Sequence, residues 1–201
     1  MVVLIYCVRD MKKIVLASSS PRRKELLEKF GLSFKVDAGT FREDFSQGME
    51  PHKLAREISL GKADSVAWKY PDALIIGADT FIILANQIIG KPQTEEEARQ
   101  MLQIISDNSH LVITAFTVID TSSGKIVSHS VETKVHIREI SAEEIEAYIK
   151  TGEPLGKAGG YAIQGLGALF VEKIEGDYYN VVGLPMYELM KTLKEFGIQV
   201  L

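Results

Sequence analysis

Strand-like and helix-like segments alternate along the chain, and this alternation limits the fold more than any other feature. The first β-branched run, Lys13 to Ala17, passes through a serine turn into a helix from Pro21 to about Phe30. Ser20 is a favourable N-cap for this helix, and Gly31 is a fitting stop. Regular alternation predicts an α/β fold. The other predicted strands are 34–37, 73–78, 111–120, 125–140 and about 168–174, with a hairpin of 81–84 and 87–89, and the other predicted helices are 51–69, 94–105, 141–150 and 185–197.

Composition narrows the class of protein. The 201 residues suit one domain, and the formal net charge of -4 disfavours general electrostatic binding of duplex DNA. The single cysteine, Cys7, cannot form an internal disulfide, so a reducing compartment, the cytoplasm, is expected. The apolar run within residues 1–10 is too short to span a bilayer and lacks the features of a signal peptide. We interpret it as an upstream extension or an extra edge strand.

The serine turn is the first candidate site. The run LASSSPRR delivers a strand into the start of a helix, whose free N–H groups and dipole favour an anion. Arg22 and Arg23 lie in the first helical turn, where the dipole disfavours cations. Their position indicates a need for positive charge, such as a polyphosphate chain would create. The alternative is a capped helix with solvated arginines.

The second candidate is Asp79, which follows the apolar strand ALIIGA. An acidic residue at the carboxyl end of a buried strand lies where α/β sheets place their ligands. There it could bind a divalent cation and orient or deprotonate a water molecule. The alternative is an aspartate in an ordinary strand-ending turn.

The glycine-rich segment 152–167 is the third candidate. Its six glycines allow close approach of the backbone to a ligand, and Gln164 could read the edge of a base through its amide. It could equally be a turn residue. Three isolated charges, Glu43, Lys62 and Lys91, each resemble ordinary surface charges. The four histidines show no metal-binding spacing.

In combination, these motifs resemble the Maf family. The matching segments are LASSSPRR, IGADT, GKP at positions 90–92 and KAGGYAIQGLGALFVEKIEGDYYNVVGLP, and the match covers nearly the whole chain from Met11 onward. The resemblance implies one Maf-like domain over residues 11–201. It also implies a mixed, curved sheet with flanking helices and two lobes around a cleft, as in the inosine-triphosphate pyrophosphatases.

The resemblance further implies a metal-dependent pyrophosphatase of the dTTP/UTP branch, because Arg22, Thr80 and Gln164 match that branch. It makes Asp79 the proton acceptor and Glu43 a second essential carboxylate. We expect these two carboxylates to hold a Mg²⁺- or Mn²⁺-type ion. The residues implied to contact phosphate are Ser18, Arg23, Lys62 and Lys91.

The sequence departs from the family at Gly156, where many members have aspartate before Lys-Ala-Gly. This places a late-loop carboxylate in doubt. Two rival functions stay open: a nucleic-acid-associated regulator of septum formation, and a nucleotide sensor without turnover. The expected partner is a nucleoside triphosphate, whereas nucleic acid and membrane are not expected. The sequence leaves a homodimer open.

Overall fold

The computed structural model describes residues 12–45 and 48–200. The predicted N-terminal extension, with Cys7, lies outside the described residues. The strands are β1 (Lys13–Ala17), β2 (Phe34–Val36), β3 (Ala73–Leu84), β4 (Gln87–Ile89), β5 (Ser109–Asp120), β6 (Ile126–Ile137) and β7 (Val171–Glu175). The helices are α1 (Pro21–Lys29), α2 (Pro51–Ala67), α3 (Glu95–Ile105), α4 (Ala142–Ile149), α5 (Tyr178–Val182) and α6 (Met186–Lys194).

These strands form one mixed sheet in the order β2-β1-β3-β5-β6-β7, with β4 paired to β3. The β1–β2 and β1–β3 pairs are parallel, and the other pairs are antiparallel. β5 follows one edge of β3 over nearly its whole length. β1 and β4 share the other edge, where β1 ends opposite Gly77 and β4 pairs with Ile82 to Leu84. Residues 78–81 therefore have no strand partner on that edge within the described chain.

Helices cover both faces of the sheet. On one face, α2 packs against β1 and β3 through Ala63 and Val66, and against β3 and β5 through Leu54 and Ile58. On the other face there are two separate apolar clusters. One contains residues of α1, α5 and α6, and the other contains residues of α3 and α4. Ile163 packs against both clusters, so the glycine-rich segment runs between them.

The predicted α/β class is confirmed, and the predicted first strand matches β1 residue for residue. The prediction that Asp79 ends its strand is wrong. β3 continues to Leu84 because β5 goes on pairing with it beyond this residue. The predicted strand near 168–174 begins only at Val171, since Leu166–Phe170 forms a 3-10 helix. The two lobes and the likeness to inosine-triphosphate pyrophosphatases remain predictions. Among the described helices, none is long and apolar enough to cross a membrane.

Candidate active site

A cleft of about 590 Å³ opens beside the unpaired edge of β3. Of the predicted site residues, all but Asp79 lie on its wall, and Asp79 lies behind it, hydrogen-bonded to the wall residue Lys62. The predicted residues on the wall are Ser18, Arg22, Arg23, Glu43, Lys62, Thr80, Lys91 and Gln164. The fold thus gathers candidates from six separate segments of the chain into one place.

Asp79 is the buried carboxylate of this cleft, with 1% of its surface exposed. Its Oδ1 accepts a hydrogen bond from Lys62 Nζ at 2.6 Å, whereas Oδ2 has no hydrogen-bond partner among the described residues. Burial alone would raise the pKa of this carboxyl. Nearby positive charges, first Lys62 and then Arg23, outweigh burial and hold the pKa below its usual value. Asp79 is therefore ionised, with one buried oxygen that no group in the described chain bonds.

The close approach of α2 to β3 brings Lys62 to Asp79. Gly77 permits this approach, because a Cβ at that position would lie 2.2 Å from the Ser59 carbonyl oxygen. Lys62 Nζ lies 2.5 Å from Glu43 Oε1 as well as 2.6 Å from Asp79 Oδ1. The lysine therefore bridges the two predicted catalytic carboxylates, and its side chain is largely buried between them.

Arg23 is a buried cation that connects three parts of the chain. Its Nε donates to the Gly183 carbonyl at 2.8 Å. Its two terminal nitrogens donate to Ser18 Oγ and Thr80 Oγ1, each at 3.0 Å. Burial lowers the pKa of the guanidinium, and no carboxylate in the described chain forms an ion pair with it. A buried cation without a direct counter-ion on the wall of a cleft is suited to bind an anion.

Thr80 is held by the protein on the opposite face of β3 from Asp79, as neighbouring residues of a strand must be. Its hydroxyl accepts from Arg23 and shares a hydrogen bond of 2.9 Å with Thr114 Oγ1. Thr114 in turn donates to the Asn180 carbonyl at 2.8 Å. Thr80 therefore influences the cleft through the arginine that it positions.

The start of α1 is open towards the cleft. Ser20 occupies the N-cap position but makes no side-chain capping bond, and its own N–H donates to Ser18 Oγ at 3.2 Å. Arg22 is half-buried on the cleft wall, where burial lowers the pKa of its guanidinium. The two neighbouring arginines thus differ, because Arg23 is bonded within the protein while Arg22 has no hydrogen-bond partner in the described chain.

Lys157 is a cation of the cleft wall that the sequence analysis did not select. Its Nζ donates to the Glu153 carbonyl at 2.6 Å. Burial, and then the charge of Arg22, lower the pKa of this lysine. The only sequence signal for it was its place in the KAGG run, next to the departure at Gly156.

The glycine-rich segment is attached to the turn that carries Lys91. Gly156 N donates to the Pro92 carbonyl at 2.9 Å, and Gly159 N donates to the Gly90 carbonyl at 3.1 Å. Gly156 has a φ of +70°, a backbone conformation that favours glycine. Gly156, where the resemblance led us to expect aspartate, is here part of a turn that supplies no carboxylate.

Gln164 lies exposed on the cleft wall, at the tip of the glycine-rich segment. Its side-chain amide has no hydrogen-bond partner in the part of the chain that the structure describes. The amide is therefore free to bind a ligand, as a base-reading residue requires.

The described residues contain no cluster of three or more histidine, cysteine, aspartate or glutamate side chains that could hold a metal ion. Among the described residues, Asp79 and Glu43 are the two carboxylates that Lys62 brings together beside the cleft. The histidines have other neighbours. His110 bonds Tyr161 at 2.9 Å, and His136 lies between Ser109 at 2.7 Å and Glu175 at 2.9 Å.

Comparison with known proteins gives consistent matches. A family model described as "Maf-like protein" matches residues 13–196. A dTTP/UTP pyrophosphatase of Methanosarcina barkeri is 48% identical over 191 residues, which are 94% of this chain and 97% of that protein. A dTTP/UTP pyrophosphatase of Thermoanaerobacter sp. is 49% identical over 94% of this chain and 100% of that protein. One from Bacillus cereus is 44% identical over 95% of this chain and 93% of that protein.

Proposed function

Because the chain belongs to the Maf-like protein family, we propose that it hydrolyses nucleoside triphosphates, dTTP and UTP in particular, to the monophosphate and pyrophosphate. The observation that carries this proposal is Asp79, an ionised carboxylate with one unpartnered oxygen beside a cleft lined by cations. The relatives' names are those of enzymes, which favours turnover over a sensor or a nucleic-acid-associated regulator of septum formation.

The charge of the cleft supports a polyphosphate substrate. Its described wall carries five lysine or arginine side chains, against the two carboxylates Asp79 and Glu43. Burial, and then the charge of Arg22, lower the pKa of Lys157, as a like charge held nearby does. A triphosphate chain neutralises such an excess, and charge-assisted hydrogen bonds to phosphate are among the strongest in proteins.

The residues present fit a divalent cation. Asp79 Oδ2 is a buried oxygen with no partner, and Glu43 supplies a second carboxylate within reach of the same lysine. Carboxylate oxygens are the ligands that Mg²⁺ and Mn²⁺ prefer, and Mg²⁺ commonly uses one or two carboxylates together with substrate phosphates. When bound, such an ion neutralises phosphate charge and lowers the pKa of a coordinated water.

In the proposed reaction, a water oxygen bonds to the α-phosphorus while the bond from that phosphorus to the bridging oxygen of the β-phosphate breaks. The Asp79 carboxylate orients the water and accepts its proton. Lys62 holds Asp79 Oδ1 and Glu43 in fixed positions, and Arg23 presents a preorganised positive charge. Charge that develops on the departing pyrophosphate is stabilised by Lys91 and the other wall cations.

Base selection is proposed for Gln164. Its amide offers one acceptor and two donors, which match the O4 and N3–H edge of uracil or thymine. A base with the reverse pattern leaves polar groups unpaired, at about 1–3 kcal/mol each, or about five- to a hundredfold in rate. Cytosine and adenine have this reverse pattern, so we expect dTTP and UTP to be hydrolysed ahead of CTP and ATP.

The proposed setting is the cytoplasm, where free nucleotides are made and consumed, and the proposed role is removal of unwanted or modified pyrimidine nucleotides. The homodimer remains a prediction.

The test is pyrophosphate release from dTTP, UTP, CTP, ATP and GTP, with Mg²⁺, with Mn²⁺ and with a chelator. We expect metal-dependent turnover with dTTP and UTP ahead. Release of inorganic phosphate instead of pyrophosphate would contradict the proposed bond cleavage, and purine preference would contradict the base assignment. Gln164→Leu should reduce the preference for dTTP and UTP while leaving metal dependence intact.

A further inference from the structure

The segment that carries Gln164 wraps around a pair of side chains outside the proposed reaction centre, Tyr148 and Glu153. Glu153 Oε1 accepts from the Tyr148 hydroxyl at 2.7 Å and from Gly167 N at 3.0 Å. Glu153 Oε2 accepts from Leu166 N at 3.2 Å. The Tyr148 oxygen also accepts from Ala162 N at 3.1 Å. The pair thus binds the backbone on both sides of Gln164.

The glycines of this segment fit against the pair so closely that no side chain could replace them. A Cβ at Gly165 would lie 2.3 Å from Glu153 Oε2, and a Cβ at Gly167 would lie 2.7 Å from the Tyr148 hydroxyl oxygen. Gly165 N also donates to the Ala162 carbonyl at 3.0 Å, which closes a tight turn. The backbone is therefore in direct contact with the pair.

Tyr148 is itself rigidly placed. It is buried on α4, and its ring meets Phe170 edge to face, with ring centres 5.0 Å apart. The N-terminus of α4 is fixed by a complete capping box between Ser141 and Glu144. Burial raises the pKa of the Tyr148 hydroxyl, so it stays protonated and able to donate. The pair can therefore transmit the position of α4 to the segment.

We propose that Glu153 and Tyr148 are positioning residues that fix Gln164 at the cleft and thereby set the discrimination between bases. The inference rests on the proposed function, in which Gln164 reads the base. Neither residue is among those that line the cleft, so we expect neither to contact the nucleotide directly. Their removal should leave the reaction centre intact and misplace only the base-reading amide.

Glu153→Gln is the sharpest perturbation because it keeps the size of the side chain. Oε1 has two donors and Oε2 has one, so the amide nitrogen goes to the Oε2 side and faces the Leu166 N–H, donor against donor. Tyr148→Phe removes the hydroxyl and serves as a second variant if the first folds poorly. Glu146→Gln is the matched control. It also removes one negative charge, but Glu146 lies on α4 and contacts Arg99 instead of the glycine-rich segment.

The primary readout is the ratio of kcat/KM for dTTP to that for CTP, whose base has the reverse order of donor and acceptor. We expect Glu153→Gln and Tyr148→Phe to lower this ratio by about two- to tenfold, through KM for dTTP more than through kcat, as the loss of one hydrogen bond allows. Hydrogen exchange over residues 162–167 should become faster in both variants. Glu146→Gln should leave both measurements unchanged.

A general loss of stability would lower kcat/KM for all substrates alike and leave this ratio unchanged. A change in the ratio therefore separates positioning of Gln164 from a merely structural role. Variants that hydrolyse dTTP and CTP with the wild-type ratio overturn the inference. Gln164→Leu with the wild-type ratio overturns base reading by Gln164 and this inference with it. If the wild type binds nucleotides without hydrolysing them, only the proposed function fails. The same comparison is then made on calorimetric affinities for dTMP and dCMP.

Discussion

Replacing Gly61 with alanine tests how the loop that carries Glu43 is held against α2. Gly61 lies inside this helix, one residue before Lys62. The Phe41 ring lies over it, so that a Cβ at this position would be 2.1 Å from Cε2 and 2.5 Å from Cζ of the ring. The helix is packed against the sheet, whereas Phe41 belongs to an exposed loop, so the ring has to move.

The effects on stability and on turnover should separate. Alanine is favoured over glycine inside a helix by about 1 kcal/mol. The Phe41 ring is already 39% exposed, and loss of its remaining contact costs about 1 kcal/mol, so the two terms nearly cancel. Glu43 lies two residues further along the loop and moves with the ring. A displacement of about 1 Å at a reacting group costs up to about a hundredfold, so we expect kcat to fall by about 10- to 100-fold.

The assay combines steady-state pyrophosphate release with urea unfolding. Asp64→Ala is the matched control, because it raises helix propensity at an exposed position of the same helix and does not meet the loop. Phe41→Leu in the Gly61→Ala background should restore part of kcat by making room for the new methyl group. Wild-type kcat in a folded Gly61→Ala variant would refute the reasoning, because Glu43 would then not depend on this contact.

Three other expectations follow from the site and its surroundings. Asp79→Asn should lower turnover by about a hundredfold or more with the fold retained, and near-normal pyrophosphate release from the folded variant would remove Asp79 from the mechanism. Arg23→Ala should lower the free energy of unfolding in urea by about 1–3 kcal/mol, because it leaves buried acceptors unpaired. Arg22→Ala should mainly raise KM. Equal effects of the two substitutions would contradict the different bonding of the two arginines. Burial lowers the pKa of His110 to about 4, below its unfolded value, so its contribution to stability is complete above about pH 6.5 and is lost as pH falls towards 4. That loss is about 2 kcal/mol at about pH 5, and the pH dependence should be weaker in His110→Gln.

Capping residues and glycines in the sequence predicted the ends of helices well, because these ends depend on neighbouring residues. The Ser141 capping box starts α4 as expected, and Gly31 has the positive φ, 75°, that its place after α1 requires. Strand length was predicted less well because pairing is not local. The change of hydropathy at Asp79 resembles the end of a strand, yet β5 keeps β3 extended beyond it. The 3-10 turn at Leu166–Phe170 is also held by a non-local contact, because Leu166 N and Gly167 N donate to the carboxylate of Glu153, more than ten residues earlier.

The residue types of the site could be predicted, but their bonding could not. The run Ser-Pro-Arg-Arg presents two similar arginines, and only the fold buries one and leaves the other on the cleft wall. The two acidic residues gave no sign that one lysine would bridge them, because Lys62 reaches Asp79 only where Gly77 lets α2 approach β3. Lys157 was missed because a lysine in a loop has no periodicity that marks it.

The burial of Arg23 explains why three of the recognised motifs occur together. Transfer of a guanidinium out of water costs several kcal/mol, and its bonding partners in the protein are neutral. One acceptor comes from each motif: Ser18 from the serine turn, Thr80 from the strand β3, and Gly183 from the loop before α6. These bonds orient the cation without neutralising it, and the carboxylate that acts most strongly on it is Asp79. Under the proposed function, the phosphate of the substrate would supply the missing negative charge, so we expect part of the stability lost by burying Arg23 to be recovered on binding.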